Sequence, residues 1–132
     1  MLNYPPKVLM AFGETFDENE KIYNWLLHNG YPELAALSSA ICGSEEAFNW
    51  LMANKYPQLA ALDGAIDNNA NAYKWLAKHK LDFLIIFADA CNKKKPALEW
   101  LAKNRLEIFI HLAQKINNFR DNQKFDYHKL HF

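Results

Sequence analysis

Tyr31-Pro32-Glu33-Leu34-Ala35-Ala36-Leu37 opens a stretch of 25 residues, and Tyr56-Pro57-Gln58-Leu59-Ala60-Ala61-Leu62 opens the next. The tryptophans carry the same period outward: Trp25, Trp50, Trp75 and Trp100 stand 25 residues apart, each followed by leucine, at Leu26, Leu51, Leu76 and Leu101. Self-similarity at one fixed period marks a chain in which each supersecondary unit stacks on the next. Cuts at Pro6, Tyr31, Tyr56, Leu81 and Leu106 divide a single domain, 1–132, into units 6–30, 31–55, 56–80, 81–105 and 106–130.

Each unit reads as two helices. The first starts at Pro32 or Pro57, whose fixed φ and missing N–H suit the first helical position. Asp82 and Glu107 stand there in later units, where the helix dipole favours an acid. Leu59, Leu62, Ala65 and Ile66 then recur at helical steps, which gives one apolar face. A break follows at Cys42-Gly43-Ser44 or Asp67-Asn68-Asn69, and a second helix ends at Asn29-Gly30 or Asn54-Lys55. Asp17 with Glu20 resembles a capping box for the second helix of unit one. A tryptophan demanded by every unit reads as an inter-unit packing residue. His79, in the slot of Asn29, Asn54 and Asn104, reads as a polar group that ties chain ends between units. Nothing alternates with period two. The expected fold is all-α: an α-solenoid of about five stacked antiparallel helix pairs without a sheet, the first and last modified as caps.

The chain is 51% hydrophobic and 14% aromatic, enough for a continuous core and incompatible with general disorder. Cys91 stands in the slot of Ile41 and Ile66 and reads as a core residue. Cys42 is two units away, too far to join it, so the expected setting is a reducing cytoplasm. The first residues lack the basic and apolar regions of a signal peptide, and no apolar run approaches bilayer length. A net charge of zero hides a division. Residues 1–66 carry three lysines against eight acids, a balance of −5, and residues 67–132 carry twelve basic residues against seven acids, a balance of +5. Such halves suit head-to-tail contact with a second copy, or a polyanion at the basic end.

Three places depart from the template. Ile85 and Ile86 replace the paired alanines of earlier units, so unit four must widen its spacing or face something new. Lys93, Lys94 and Lys95 precede a helix whose dipole opposes them, which suits an anionic contact. Unit five keeps a first helix from Glu107 to about Ile116, with His111 in an alanine slot, but its second half is degenerate. There Phe119, Phe125, Tyr127, Leu130 and Phe132 form a candidate cap over the end of the core.

Catalytic patterns are missing from the sequence. Thr15, Ser38, Ser39 and Ser44 are its only hydroxyl nucleophile candidates, and none has a histidine nearby in sequence. Asp126, His128 and His131 have spacing that a metal could use, but a site needs a further ligand, and no cofactor or metal is expected. The order proline, helix, break, helix, Asn-Gly resembles the ankyrin repeat over residues 6 to about 116, with Pro32 and Leu34, and Pro57 and Leu59, echoing its signature. The 25-residue unit is shorter than the roughly 33 residues of an ankyrin unit by about the length of its β-hairpin finger. That likeness implies an antiparallel helical stack that binds protein.

The resulting expectation is a non-catalytic protein-interaction or scaffolding module. Its recognition surface is expected at the varying first-helix slots Ser38, Ser39, Asp63, Gly64, Ala88, Asp89, Ala113 and Gln114, with Ile85 and Ile86. The alternative is a nucleic-acid or phospholigand binder using Lys74, Lys78, Lys80, Lys93, Lys94, Lys95, Lys103 and Arg105.

Overall fold

The computed structural model describes residues 1–130, with side chains through residue 122. The described residues form nine α-helices and no strand. Helix α1 (Pro6–Glu14) leads through a 3-10 turn (Thr15–Asp17) to α2 (Glu20–His28). The pairs α3 (Pro32–Ile41) and α4 (Glu45–Ala53), α5 (Pro57–Ile66) and α6 (Ala70–Lys78), and α7 (Asp82–Cys91) and α8 (Lys95–Lys103) follow, and α9 (Glu107–Leu130) ends the array.

Helix ends repeat as strictly as the tryptophans. At the start of α2, α4 and α6 the side chains of Asn19, Ser44 and Asn69 accept the N–H groups of Ile22, Ala47 and Ala72 at 3.1–3.2 Å. The cap of α2 is therefore Asn19. The capping box expected from Asp17 does not form, because Asp17 belongs to the 3-10 turn and Glu20 is the first residue of α2. In α8 the cap slot holds Lys94, which makes no such bond. Lys94→Asn is expected to raise the unfolding free energy by about 0.5 kcal/mol, the worth of a cap less that of the exposed pair Lys94 makes with Asp89. A urea midpoint that stays put or falls would contradict it.

Each second helix ends on a left-handed residue, Gly30, Lys55, Lys80 or Arg105. The next N–H returns to the carbonyl of the leucine that follows the tryptophan: Tyr31 to Leu26, Tyr56 to Leu51, Leu81 to Leu76 and Leu106 to Leu101, at 2.9–3.0 Å. This is the closing bond of a Schellman stop. Glu18, Gly43, Asn68 and Lys93 take the same conformation between the helices of a unit. The asparagine slot works within its own helix rather than between units, since Asn29, Asn54 and Asn104 donate to the carbonyls of Trp25, Trp50 and Trp100 at 2.7–2.8 Å. His79 instead lies against the Trp75 ring, at 4.0 Å between centroids.

Packing separates two layers. The first helices α1, α3, α5, α7 and α9 each pack on the next, and α9 also packs on α1, so the row closes on itself. The second helices α2, α4, α6 and α8 pack on the first helix of their own unit and of the next, and not on one another. One slot of the inner row holds Phe12, Leu37, Leu62, Phe87 and Leu112, all fully buried. The anchor of each outer helix is the leucine and not the tryptophan. Leu26, Leu51, Leu76 and Leu101 are fully buried, whereas Trp50 and Trp100 are 36% and 40% exposed. Trp25 and Trp50 stack on Tyr31 and Tyr56 at the start of the following unit.

Closure has identifiable causes. Gly13 admits α9, since a Cβ there would stand 2.8 Å from Cδ2 of Leu112. Phe119 packs on Phe16 at 6.1 Å between centroids, and Lys115 pairs with Asp17. Arg120 reaches the last carbonyl of α5, at Ile66, and pairs with Asp67 at 3.2 Å. The acidic and basic halves thus meet within one chain.

Unit five is accordingly one continuous helix in place of the expected pair. Asn118, in the slot where Gly43, Asn68 and Lys93 turn left-handed, stays helical. Continuing the helix carries Phe119 and Arg120 to their partners in units one and three. Phe119 is the part of the expected cap that is seen in place. The side chains of Phe125, Asp126, Tyr127, His128 and Leu130, and all of His131 and Phe132, lie outside the described residues.

Candidate functional site

Because the outer helices do not touch, grooves lie between them. The first runs between α2 and α4 over α3 and encloses about 500 Å³. Tyr23 and Leu27 form one wall, Ala47 and Trp50 the other, and Pro32, Ala36 and Ser39 the floor. The second runs between α4 and α6 over α5 and encloses about 300 Å³. Phe48 and Met52 face Ala72 and Trp75 across a floor of Pro57, Ala61 and Gly64. These are the same positions moved by one unit.

Small residues on the floor let the outer helices lie close. Gly64 has no room for a side chain, since a Cβ would lie 2.8 Å from Cβ of Ala72. On α7 the floor slots of Ala36 and Ser39 are taken by Ile86 and Asp89, which resolves the puzzle of unit four. Asp89 accepts the Tyr73 hydroxyl at 2.9 Å and the Lys94 ammonium at 3.2 Å, and Lys94 lies over the Tyr73 ring. Bulk and an ion pair thus occupy the third position. The wall slot changes in step: Leu27 and Met52, 40% and 53% exposed, are followed by Ala77 and Ala102.

The structure divides the residues expected to form a recognition surface. Ser39 and Gly64 line the grooves, with the Ser39 hydroxyl 2.8 Å from that of Tyr23. Ile86 and Asp89 fill the corresponding place on α7, and Gln114 is exposed on α9. Ser38 does not belong to a surface. It is buried, with its hydroxyl 2.7 Å from that of Thr15. Ala88 and Ala113 are also fully buried, and Ile85 packs half-buried against the core. Asp63 is half-buried in the slot of Ser38.

Burial pushes the Asp63 carboxyl up to about 6; Asp67 adds to the effect and the Arg120 charge opposes it. With a folded value above the ordinary 3.8, the native state binds this proton more tightly than the unfolded chain. Asp63 therefore favours folding at low pH, and that contribution is lost as pH rises from about 4 to about 6. Asp63→Asn is expected to flatten this slope and to raise stability at pH 7.5 by about 1–2 kcal/mol, discounted for partial exposure. Urea unfolding at pH 4.5 and 7.5 checks it, and an unchanged slope would contradict it.

The lysine run has local partners. Lys93 pairs with Asp121 at 2.8 Å, Lys94 with Asp89 at 3.2 Å and Lys95 with Glu99 at 3.9 Å. The hydroxyls are also engaged: Thr15 donates to the Phe12 carbonyl, and Ser44 caps α4. Burial raises the thiols of Cys42, to about 11, and of Cys91; both are free. Among the described residues no three His, Cys, Asp or Glu side chains gather as a metal site, and no helix is long and apolar enough to cross a membrane.

The fold and its grooves define an all-helical protein of 25-residue units with recurring clefts between outer helices. No protein-family model, curated protein or solved structure matches the chain. The groove walls were missed in the sequence because large apolar residues at a fixed slot look like core. The available signal was the change at one slot from Leu27 and Met52 to Ala77 and Ala102.

Proposed function

We propose that this protein is a non-catalytic protein-interaction or scaffolding module that holds a partner segment in the grooves flanking α4. The observation that carries this reading is the exposure of Leu27, Trp50 and Met52 along two register-equivalent grooves with small floors. Contiguous exposed apolar surface rimmed by polar groups is a mark of interaction sites. The ankyrin-like layout supports the same reading, and two free cysteines suit a cytoplasmic setting. Against the alternative anion reading, Lys93, Lys94 and Lys95 each have a carboxylate partner.

Panning a displayed library of random 16-residue peptides on the full chain tests the proposal. Binders are expected that are lost on the double variant Leu27→Ser, Met52→Ser, whose exposed positions leave the core intact. Ala36→Arg, checked for folding by circular dichroism, should have the same effect. Failure to obtain binders that depend on the grooves would overturn the reading.

A further inference from the structure

We infer that the segment the first groove receives is a basic amphipathic helix lying lengthwise between α2 and α4. This inference rests on the interaction-module reading and names the partner's chemistry.

Shape supplies the first argument. Each groove is bounded by two nine-residue helices that pack on a common inner helix, which leaves a shallow trough that takes one face of a helix. Nine residues make a wall about 13 Å long, two and a half turns, enough for partner side chains at i, i+4 and i+7. The floor residues Pro32, Ala36 and Ser39 share that spacing, as do Pro57, Ala61 and Gly64. Helices approach closely over small residues, with axes about 8–10 Å apart. An extended strand would need free backbone donors and acceptors along the cleft. Walls and floor made of helices use theirs internally.

Charge supplies the second. The first groove is lined by one carboxylate, Glu46, and neither groove is lined by Lys or Arg. Glu45 and Glu20 stand exposed at the starts of α4 and α2, within a half of the chain whose balance is −5. A partner helix with lysine or arginine beside its apolar face meets this field. An acidic one is repelled.

The groove-dependent peptides from the panning experiment, synthesised and titrated against the intact protein, decide the matter. The expected peptides carry apolar residues at helical spacing with Lys or Arg beside them, and they gain helical circular dichroism on binding. Their binding should weaken about tenfold with Glu46→Lys. Groove-dependent peptides that are acidic, or that stay non-helical when bound, overturn the inference and leave the interaction reading standing. The absence of any groove-dependent peptide overturns both. Light scattering of the protein alone adds a further check: a dimer that Leu27→Ser with Met52→Ser dissolves would make a second copy the occupant and overturn the inference.

Discussion

Leu51→Ala is expected to lower the unfolding free energy by about 3–4 kcal/mol, while Trp50→Ala beside it costs about 2 kcal/mol. Leu51 is fully buried, so truncation leaves a cavity among side chains that relax only partly. Its carbonyl also receives the Tyr56 N–H that ends α4, so the side chain and the helix stop meet at one residue. Trp50 is 36% exposed and stacks on Tyr56 at 6.2 Å between centroids, so its truncation gives up part of an apolar surface but leaves no closed cavity. For a chain of this size the leucine change corresponds to a fall in Tm of roughly 10–15 °C. Thermal unfolding of both variants checks the pair. A larger loss at Trp50 than at Leu51 would show that the tryptophan holds the units together.

Arg120→Ala is expected to cost about 2 kcal/mol, because its hydrogen bonds are charge-assisted and its guanidinium is mostly buried. It loses the bonds to the Ile66 carbonyl and to Asp67, which join α9 to the end of α5. Removing that charge also removes the influence that holds Asp63 down, so the Asp63 carboxyl should titrate above its present value of about 6. Lys115→Ala serves as the comparison. Lys115 makes a single pair, with half-exposed Asp17, and reaches no helix-end carbonyl among the described residues, so it is worth at most about 1 kcal/mol. Equilibrium unfolding across pH measures both effects. A loss at Arg120 no greater than at Lys115 would remove it as the principal tie between the ends of the array.

The repeat was legible because it is written in large side chains at a fixed period. Pro32, Pro57, Leu34, Leu59 and the Trp-Leu pairs placed the helices of units two to four within a residue or two. Their stops were less legible. Lys55, Lys80 and Arg105 adopt the left-handed conformation that glycine announces at Gly30, at a cost of roughly 1–2 kcal/mol that a sequence does not display. Closure was not legible at all. It depends on Gly13 leaving space for Leu112, a pairing 99 positions apart with no local signature. The same holds for Arg120, whose partners Ile66 and Asp67 lie more than two units earlier. The grooves were half legible. Ser39, Gly64 and Ile86 were marked by their variation, but so were Ser38 and Asp63, one residue earlier and turned inward.

The first helices form a closed row in which α9 returns to α1. That geometry is tested most directly by attaching a spin label through Asn118→Cys and recording which backbone amide signals it broadens. The label is placed in a Cys42→Ser background, because Cys42 is only half-buried, whereas Cys91 is buried. Asn118 shares a pocket with Phe16, Asp17 and Glu18, so strong broadening of residues 14–19 is the predicted result. Broadening confined to residues 88–117, with the first unit untouched, would mean that the array is open and would contradict the account.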